Sequence, residues 1–465
     1  MEHNESNGWG ANPSGEFQHE DFTHGDASEV AAEYGAAASS TNEIPPKLIL
    51  KDELFLEAVN DIVFSNTQVT IVSADPGTGK STILPFFLTL QYEAHVVVTE
   101  PRIEEVDRLY NRAKKLAESS YANIEVLRST GRKNELRAAA RRGPKARLIY
   151  ATDGKVANSI IHGRLFGVIE DKRDVFRSFL VIDEIHEMNL NMEIIVAKAR
   201  DYINTLIAVG QAHEFQLFIM SATIQSNGET FKRLQAYLDA GGIDIAFRII
   251  ENEPQKEDLI EFSDQPLTVL ESGSTEALVS RIEDQVNAIK AVDKDGGILV
   301  FVSSMFIAMD LRTCMQHHAD VTSVHIVFRG TSATLRQEAL NGGPGRIVIC
   351  SNIAESSTLI QNIDYVIDTG TVRRSRIANE VVTLYEEKIS QGEAIFRAAR
   401  LRRGSPGKVY RLYTIDEFEN FSVDPPSQSS REDPRMVVAI FCTRLGLERV
   451  SCRILEGYMV SNTTD

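Results

Sequence analysis

Two adjacent carboxylates, Asp183-Glu184, end an apolar run, Ser178-Phe179-Leu180-Val181-Ile182, and lead into Ile185-His186-Glu187. Acids at the carboxyl edge of a strand suit metal-assisted phosphoryl transfer. Asp183 would hold Mg²⁺, and Glu184 would orient or deprotonate the attacking water. The partner that such chemistry needs lies upstream. Ala74-Asp75-Pro76-Gly77-Thr78-Gly79-Lys80-Ser81-Thr82 follows a β-branched run, Val69-Thr70-Ile71-Val72, and precedes a helical stretch. It fits the phosphate-loop pattern except at its first position, where alanine stands for glycine. Gly77 and Gly79 permit the tight turn that aims backbone N–H groups at phosphates. A helix beginning at Lys80 adds the positive end of its dipole. Lys80 would reach the β- and γ-phosphates and the Ser81 hydroxyl would ligate Mg²⁺, with Thr78 and Thr82 completing the loop. A glycine-rich turn or an acid-rich helix start can each be purely structural. In this order and context they predict a site for ATP, or another NTP, with Mg²⁺.

Strands must carry these residues. Short β-branched runs predict them at Val69–Val72, His95–Thr99, Arg147–Ala151, Phe179–Asp183 and Phe215–Ser221, with helices between and a first helix at Lys51–Phe64. Strands alternating with helices predict an α/β fold with a parallel sheet. The alternation restarts after a polar, acidic connection at 250–295, with strands at Gly297–Val302, Arg346–Cys350 and Tyr365–Asp368 and a helix at Met305–His317. The expected divisions are a disordered acidic tail (1–44), a first domain (45–245), a second (246–415) and a short, mainly helical extension (416–465) with a helix near Arg435–Leu445.

A net charge of −17 looks unsuited to a nucleic-acid partner, but its distribution matters more than its sum. Residues 1–44 hold nine Asp or Glu and no Lys or Arg, which leaves −8 for the rest. That tail has too little apolar surface to offset its ordering entropy, and it could solubilise the chain or bind a protein partner. Basic runs occur at Arg132–Arg147, with seven Lys or Arg, and at Arg373–Arg411, with ten. Such runs are commonly solvated faces; the first could also meet RNA phosphates. No run of 18 apolar residues appears, which excludes a membrane-spanning helix, and the N-terminus lacks a signal-peptide pattern. Cys314, Cys350, Cys442 and Cys452 form no C-x-x-C pair, as expected of a protein in a reducing, cytoplasmic compartment.

From about residue 50 to 449 the chain resembles, in order, superfamily 2 helicases of the DEAH/DExH group. Thr99-Glu100-Pro101-Arg102 looks like motif Ia, Thr152-Asp153-Gly154 like motif Ib, Asp183-Glu184-Ile185-His186 like motif II and Ser221-Ala222-Thr223 like motif III. Leu299–Ser304 resembles motif IV, Ser351–Ser357 motif V and Phe396–Arg403 motif VI. Tyr365–Gly370 and Pro406–Tyr413 are also family-like. The resemblance implies two tandem RecA-like domains and an RNA-stimulated NTPase that translocates on or unwinds RNA. It places Arg102, Thr152, Ser303 and Ser351 along the RNA backbone, and makes Ser221 and Thr223 couplers between nucleotide and RNA. His186 and Arg397 join Glu184 in the catalytic set, and Arg400 and Arg403 become arginine fingers.

The chain departs from the family in three places. Motif VI, Q-R-x-G-R-x-G-R in the family, reads Phe396-Arg397-Ala398-Ala399-Arg400-Leu401-Arg402-Arg403. The glutamine expected to face His186 is a phenylalanine, which neither donates nor accepts a hydrogen bond. That motivates an alternative, a degenerate helicase that binds RNA or scaffolds a replication complex without hydrolysis. Lys80-Ser81-Thr82-Ile83-Leu84-Pro85 resembles helicases of positive-strand RNA viruses, pointing to viral RNA replication in a host cytoplasm. Asp433–Leu447 resembles the start of the cellular winged-helix domain, and the C-terminus looks cut short.

Overall fold

The computed structural model describes residues 67–74, 78–120, 122–136, 146–161, 177–225, 228–240, 242–250, 259–266, 275–316, 321–328, 330–341, 343–352, 362–378, 381–401 and 406–427. The expected tail at 1–44 and the helices at Lys51–Phe64 and Arg435–Leu445 lie outside them.

Seven strands form the first sheet: β1 (Val69–Ala74), β2 (His95–Glu100), β3 (Glu125–Ser129), β4 (Arg147–Thr152), β5 (Ser178–Ile182), β6 (Phe215–Ser221) and β7 (Ile245–Ile250). They run parallel in the order β3-β4-β2-β5-β6-β1-β7. Helices α1 (Ile83–Gln91), α2 (Ile103–Ser119), α3 (Asp153–Ile161), α4 (Leu190–Ala208) and α5 (Glu229–Asp239) connect them. Successive strand side chains point to opposite faces, so the central strands need apolar residues at nearly every position. Val97, Leu180 and Ile219 enter the core on one face. Val96, Val98, Phe179, Val181 and Phe218 enter the core on the other.

The second sheet is also parallel. It contains β8 (Ile260–Phe262), β9 (Ile298–Phe301), β10 (Val324–Val327), β11 (Ile347–Cys350), β12 (Tyr365–Asp368) and β15 (Val409–Arg411), in the order β10-β11-β9-β12-β15-β8. Helices α6 (Thr275–Val292), α7 (Met305–Met315) and α8 (Ala333–Asn341) accompany it. An antiparallel hairpin, β13 (Thr371–Ala378) and β14 (Val381–Lys388), leads into α9 (Gln391–Ala398), and α10 (Ile415–Glu419) follows β15.

Three expectations are corrected. The first domain does not end at 245, because β7 pairs with β1 along its whole length. The connection at 250–295 contains β8 and the long α6, whose Leu278, Ile282, Val286 and Ile289 form a buried face. The extension from 416 is, at its start, part of the second domain: Phe418 and Phe421 stack with Phe262 and Tyr413. No helix of the described residues is long and apolar enough to cross a membrane.

Candidate nucleotide-hydrolysis site

Strand order assembles the site. β5, β6 and β1 are neighbours, so the residues following them share the carboxyl edge of the sheet: Asp183-Glu184, Ser221–Thr223 and the phosphate loop. Such an edge is where open α/β sheets bind ligands. Gly79 has φ +89°, a conformation that a side chain would disfavour. Its carbonyl accepts from the amides of Thr82, at 3.0 Å, and Ile83, at 2.7 Å. The helix therefore begins at Ile83, and Lys80-Ser81-Thr82 form the turn before it. The Tyr150 hydroxyl, from β4, donates to the Ser81 carbonyl (3.1 Å) and braces that turn. Thr78, Lys80 and Thr82 are buried. Gly77 lies outside the described residues.

Lys80 Nζ stands 3.3 Å from Glu184 Oε1. Burial disfavours the ammonium, but Glu184 and Asp183 outweigh it and hold the Lys80 pKa above its ordinary value. Glu184 occupies the left-handed region at φ +54°, and this backbone turn brings its carboxylate back over the site. Burial would raise its pKa; Lys80, His186 and Arg400 reverse that and keep it a carboxylate. Burial raises the Asp183 pKa, with Lys80 and the Ser81 hydroxyl opposing. Asp183 Oδ1 accepts from the Glu184 amide (2.9 Å), while its buried Oδ2 has no hydrogen-bond partner among the described residues. That orphaned oxygen beside the Ser81 hydroxyl is a donor set that suits Mg²⁺.

His186 is the junction. Its Nδ1 lies 3.2 Å from Glu184 Oε2 and 3.2 Å from Ser221 Oγ. Ser221 Oγ accepts from the Thr223 amide (3.1 Å), so the expected couplers continue from His186. On the other side the Phe396 ring, from α9 of the second domain, packs 4.2 Å from the His186 ring centre at 41°. Phenylalanine does stand where the resemblance puts a glutamine.

The arginines in and just after α9 differ in their fates. Arg400 is close enough to help depress the Glu184 carboxyl. Arg403 lies outside the described residues. Arg397, expected in the catalytic set, is turned away from the site. It is 1% exposed, donates to Asp368 (2.7 Å) and the Thr371 carbonyl (3.1 Å), and lies over the Phe301 ring. Tyr413 donates to the second Asp368 oxygen (2.9 Å). The family-like segments around Asp368 and Tyr413 thus lock α9 onto its sheet through Arg397. Arg374 adds a second brace, donating to both Glu393 oxygens, and Glu393 closes a capping box with Ser390 at the helix start.

The expected RNA-track residues also fall on neighbouring strand ends. Arg102 and Thr152 follow β2 and β4, which are paired. Ser303 and Ser351 follow β9 and β11, also paired. Arg102 forms an ion pair with Glu187 (2.6 Å), half-exposed on both sides. Ser303 is buried, and its hydroxyl has no partner among the described residues. Near these residues lie charged groups to which the sequence reading gave no role. Glu100 is buried, and that burial, with Asp183, Glu105 and Glu184 nearby, pushes its carboxyl well above the usual range. Arg108 pairs with Glu105. A carboxylate one residue into motif Ia was a signal available in the sequence; the salt-bridged pair one turn further was not.

Two parallel α/β sheets, the first carrying a phosphate loop and an Asp-Glu pair at its carboxyl edge, define a tandem RecA-like fold. The model of the DEAD/DEAH box helicase family matches residues 56–231. The chain's relatives are DEAH/DExH ATP-dependent RNA helicases. The Acanthamoeba polyphaga mimivirus protein named "Putative ATP-dependent RNA helicase L540" is 26% identical over 387 residues, covering 80% of this chain and 50% of that protein. ATP-dependent RNA helicase HrpA of Borreliella burgdorferi is 26% identical over 386 residues, covering 79% and 41%. The crystal structure of the E. coli DExH-box NTPase HrpB matches with a TM-score of 0.61 at 20% identity, over 84% of this chain and 45% of that one. The chain spans half or less of the length of these relatives.

Proposed function

We propose that this chain is an Mg²⁺-dependent nucleoside triphosphatase that couples ATP (or NTP) hydrolysis to movement along RNA or its unwinding. The carrying observation is the buried network Lys80–Glu184–His186–Ser221, closed from the second domain by Phe396 and Arg400. Asp183 and Ser81 would hold Mg²⁺, which supplies charge neutralisation at the phosphates when bound. With phosphates in the loop, Lys80 exchanges the Glu184 carboxylate for a phosphate oxygen, and Glu184 is released to take the proton of the attacking water. Arg400 stabilises charge on the transferred group from across the domain interface. Motion of one sheet against the other shifts Ser303 and Ser351 relative to Arg102 and Thr152, which is how turnover becomes movement on a backbone.

The RNA partner rests on the relatives and on the pairing of track residues at adjacent strand ends. A protein partner for the acidic tail and a reducing, cytoplasmic setting belong to the same proposal, supported by the charge of residues 1–44 and by cysteine spacing. A viral setting is supported by the Lys80–Pro85 pattern, and one relative is a viral protein. The test is ATP hydrolysis and strand displacement by the purified chain on tailed RNA and DNA duplexes, with Mg²⁺. RNA-stimulated turnover lost in Lys80→Ala supports the proposal. Nucleotide binding without turnover in the wild type would favour the non-hydrolysing scaffold instead.

A further inference from the structure

The segment after α10 does more than leave the second domain. Its Ser422 and Val423 carbonyls accept from the first two amides of α9, Gln391 at 2.8 Å and Gly392 at 3.0 Å. One residue on, Asp424 reaches the first domain, where its Oδ2 accepts from the Thr230 amide of α5 at 2.8 Å. Further along, Ser427 accepts from Arg233 of α5 at 3.2 Å. A strap of six residues therefore caps the N-termini of two helices that belong to different domains.

The sequence is fitted to this arrangement on both sides. The N-cap of α5 is Gly228, which has no side chain to satisfy the first amides. A Cβ there would stand 2.4 Å from Asp424 Oδ2, so the glycine makes room for the cap that it cannot supply. At the second helix, a Cβ on Gly392 would meet the Thr223 Cβ and the Val423 carbonyl, both at 3.3 Å. The start of α9 is thus pressed between the strap and the coupling segment of the first domain. The same helix carries Phe396 onto His186 and leads to Arg400. Asp424 is itself buried.

We infer that Asp424 is a positioning residue for the hydrolytic site: by capping α5 from the second domain, it holds α9 against Thr223 and so sets Phe396 and Arg400 over His186 and Glu184. This role rests on the proposed hydrolysis. Its partner is the Thr230 amide of α5 and not a residue of the phosphate loop, so it acts on turnover rather than on nucleotide affinity.

The test uses the full chain with Asp424→Ala, Asp424→Asn and Gly228→Ala, the last displacing the carboxylate from the opposite side. Steady-state ATP hydrolysis is measured with Mg²⁺ and single-stranded poly(U), alongside hydrogen exchange at the Thr230 amide. The expected result is a kcat about fivefold or more lower in Asp424→Ala and Gly228→Ala, the lower bound of ordinary coupling between sites, with KM for ATP unchanged. Asp424→Asn keeps an acceptor oxygen and is expected to restore most of kcat and of the Thr230 protection. Loss of Thr230 protection with wild-type kcat would make the cap purely structural and overturn the inference. So would Asp424→Asn failing as badly as Asp424→Ala. A wild-type chain without turnover sinks the hydrolytic reading and this role with it, whereas turnover intact in both wild type and Asp424→Ala sinks this role alone.

Discussion

The first sheet brings Lys80, Glu184 and Ser221 together on three neighbouring strand ends, whereas the second reaches them through one eight-residue helix and a strap. On the first side each group is buried or nearly so and tied to the next: Lys80 to Glu184, Glu184 to His186, His186 to Ser221. On the second side the contacts are a ring against a ring and a guanidinium sensed by a carboxylate. The rigid half is organised for charge, and the other half is organised to be positioned. Groups preorganised in a buried site act without reorganising during a reaction, so under the proposed function the first sheet would hold the chemistry and the second its timing.

Arg400 and Arg397 break that comparison most sharply, because two arginines three residues apart do different jobs. Arg400→Ala is expected to lower kcat by about 10³- to 10⁵-fold, the range of an arginine finger, with an unchanged melting temperature. Equal turnover in wild type and variant would remove the second domain from the chemistry. Arg397→Ala is expected to act first on folding. It leaves Asp368 as a buried, unpaired charge, a loss of about 3–5 kcal/mol that urea unfolding would read. An Arg397→Ala protein as stable as wild type would return that arginine to the catalytic set.

Asp153 tests the track half of the first sheet. It is buried beside Thr152, and that burial raises its pKa to about 6, with hydrogen bonds from Asn189 and the Gly154 amide opposing. A carboxyl raised on folding lends stability that is whole below its ordinary pKa of 3.8 and lost as pH rises through about 6. Two pKa units cap the effect at about 3 kcal/mol. Relative to wild type, Asp153→Asn is expected to lose stability less steeply between pH 4 and 7; parallel melting curves would show that Asp153 does not titrate there. The smallest effect concerns Phe396. Phe396→Leu keeps most of the buried apolar volume and removes the ring contact with His186, about 1 kcal/mol, and is expected to loosen the interface with little change in melting. Phe396→Gln offers His186 a hydrogen-bond partner, and stronger RNA stimulation of turnover is the expected result. Stimulation unchanged by that substitution would show that the ring already serves as well.

The same asymmetry explains what could be read from the sequence. The phosphate loop and Asp183-Glu184 are local patterns at the ends of strongly apolar strands, so their placement on one sheet edge was legible. Motif VI was legible as a set of arginines but not as a geometry. Which one turns inward is decided by Asp368 and Tyr413, on strands that the residue types of α9 do not reveal. Edge strands such as Glu125–Ser129 are short, mix charged with apolar residues and show no clean alternation. The hairpin at 371–388 was hidden by its basic composition, and α6 by its charged outer face. Asp424 lies 194 residues from the amide it caps, a contact that no local pattern encodes.

The most direct test of the account is a paired measurement on wild type and Glu184→Gln: nucleotide affinity, and Mg²⁺-dependent ATP hydrolysis in the presence of single-stranded RNA. The account predicts a hydrolysing wild type and a Glu184→Gln protein that binds ATP as well but turns it over at least about 10²-fold more slowly, the loss expected for a general base. Equal turnover in the two proteins would contradict it.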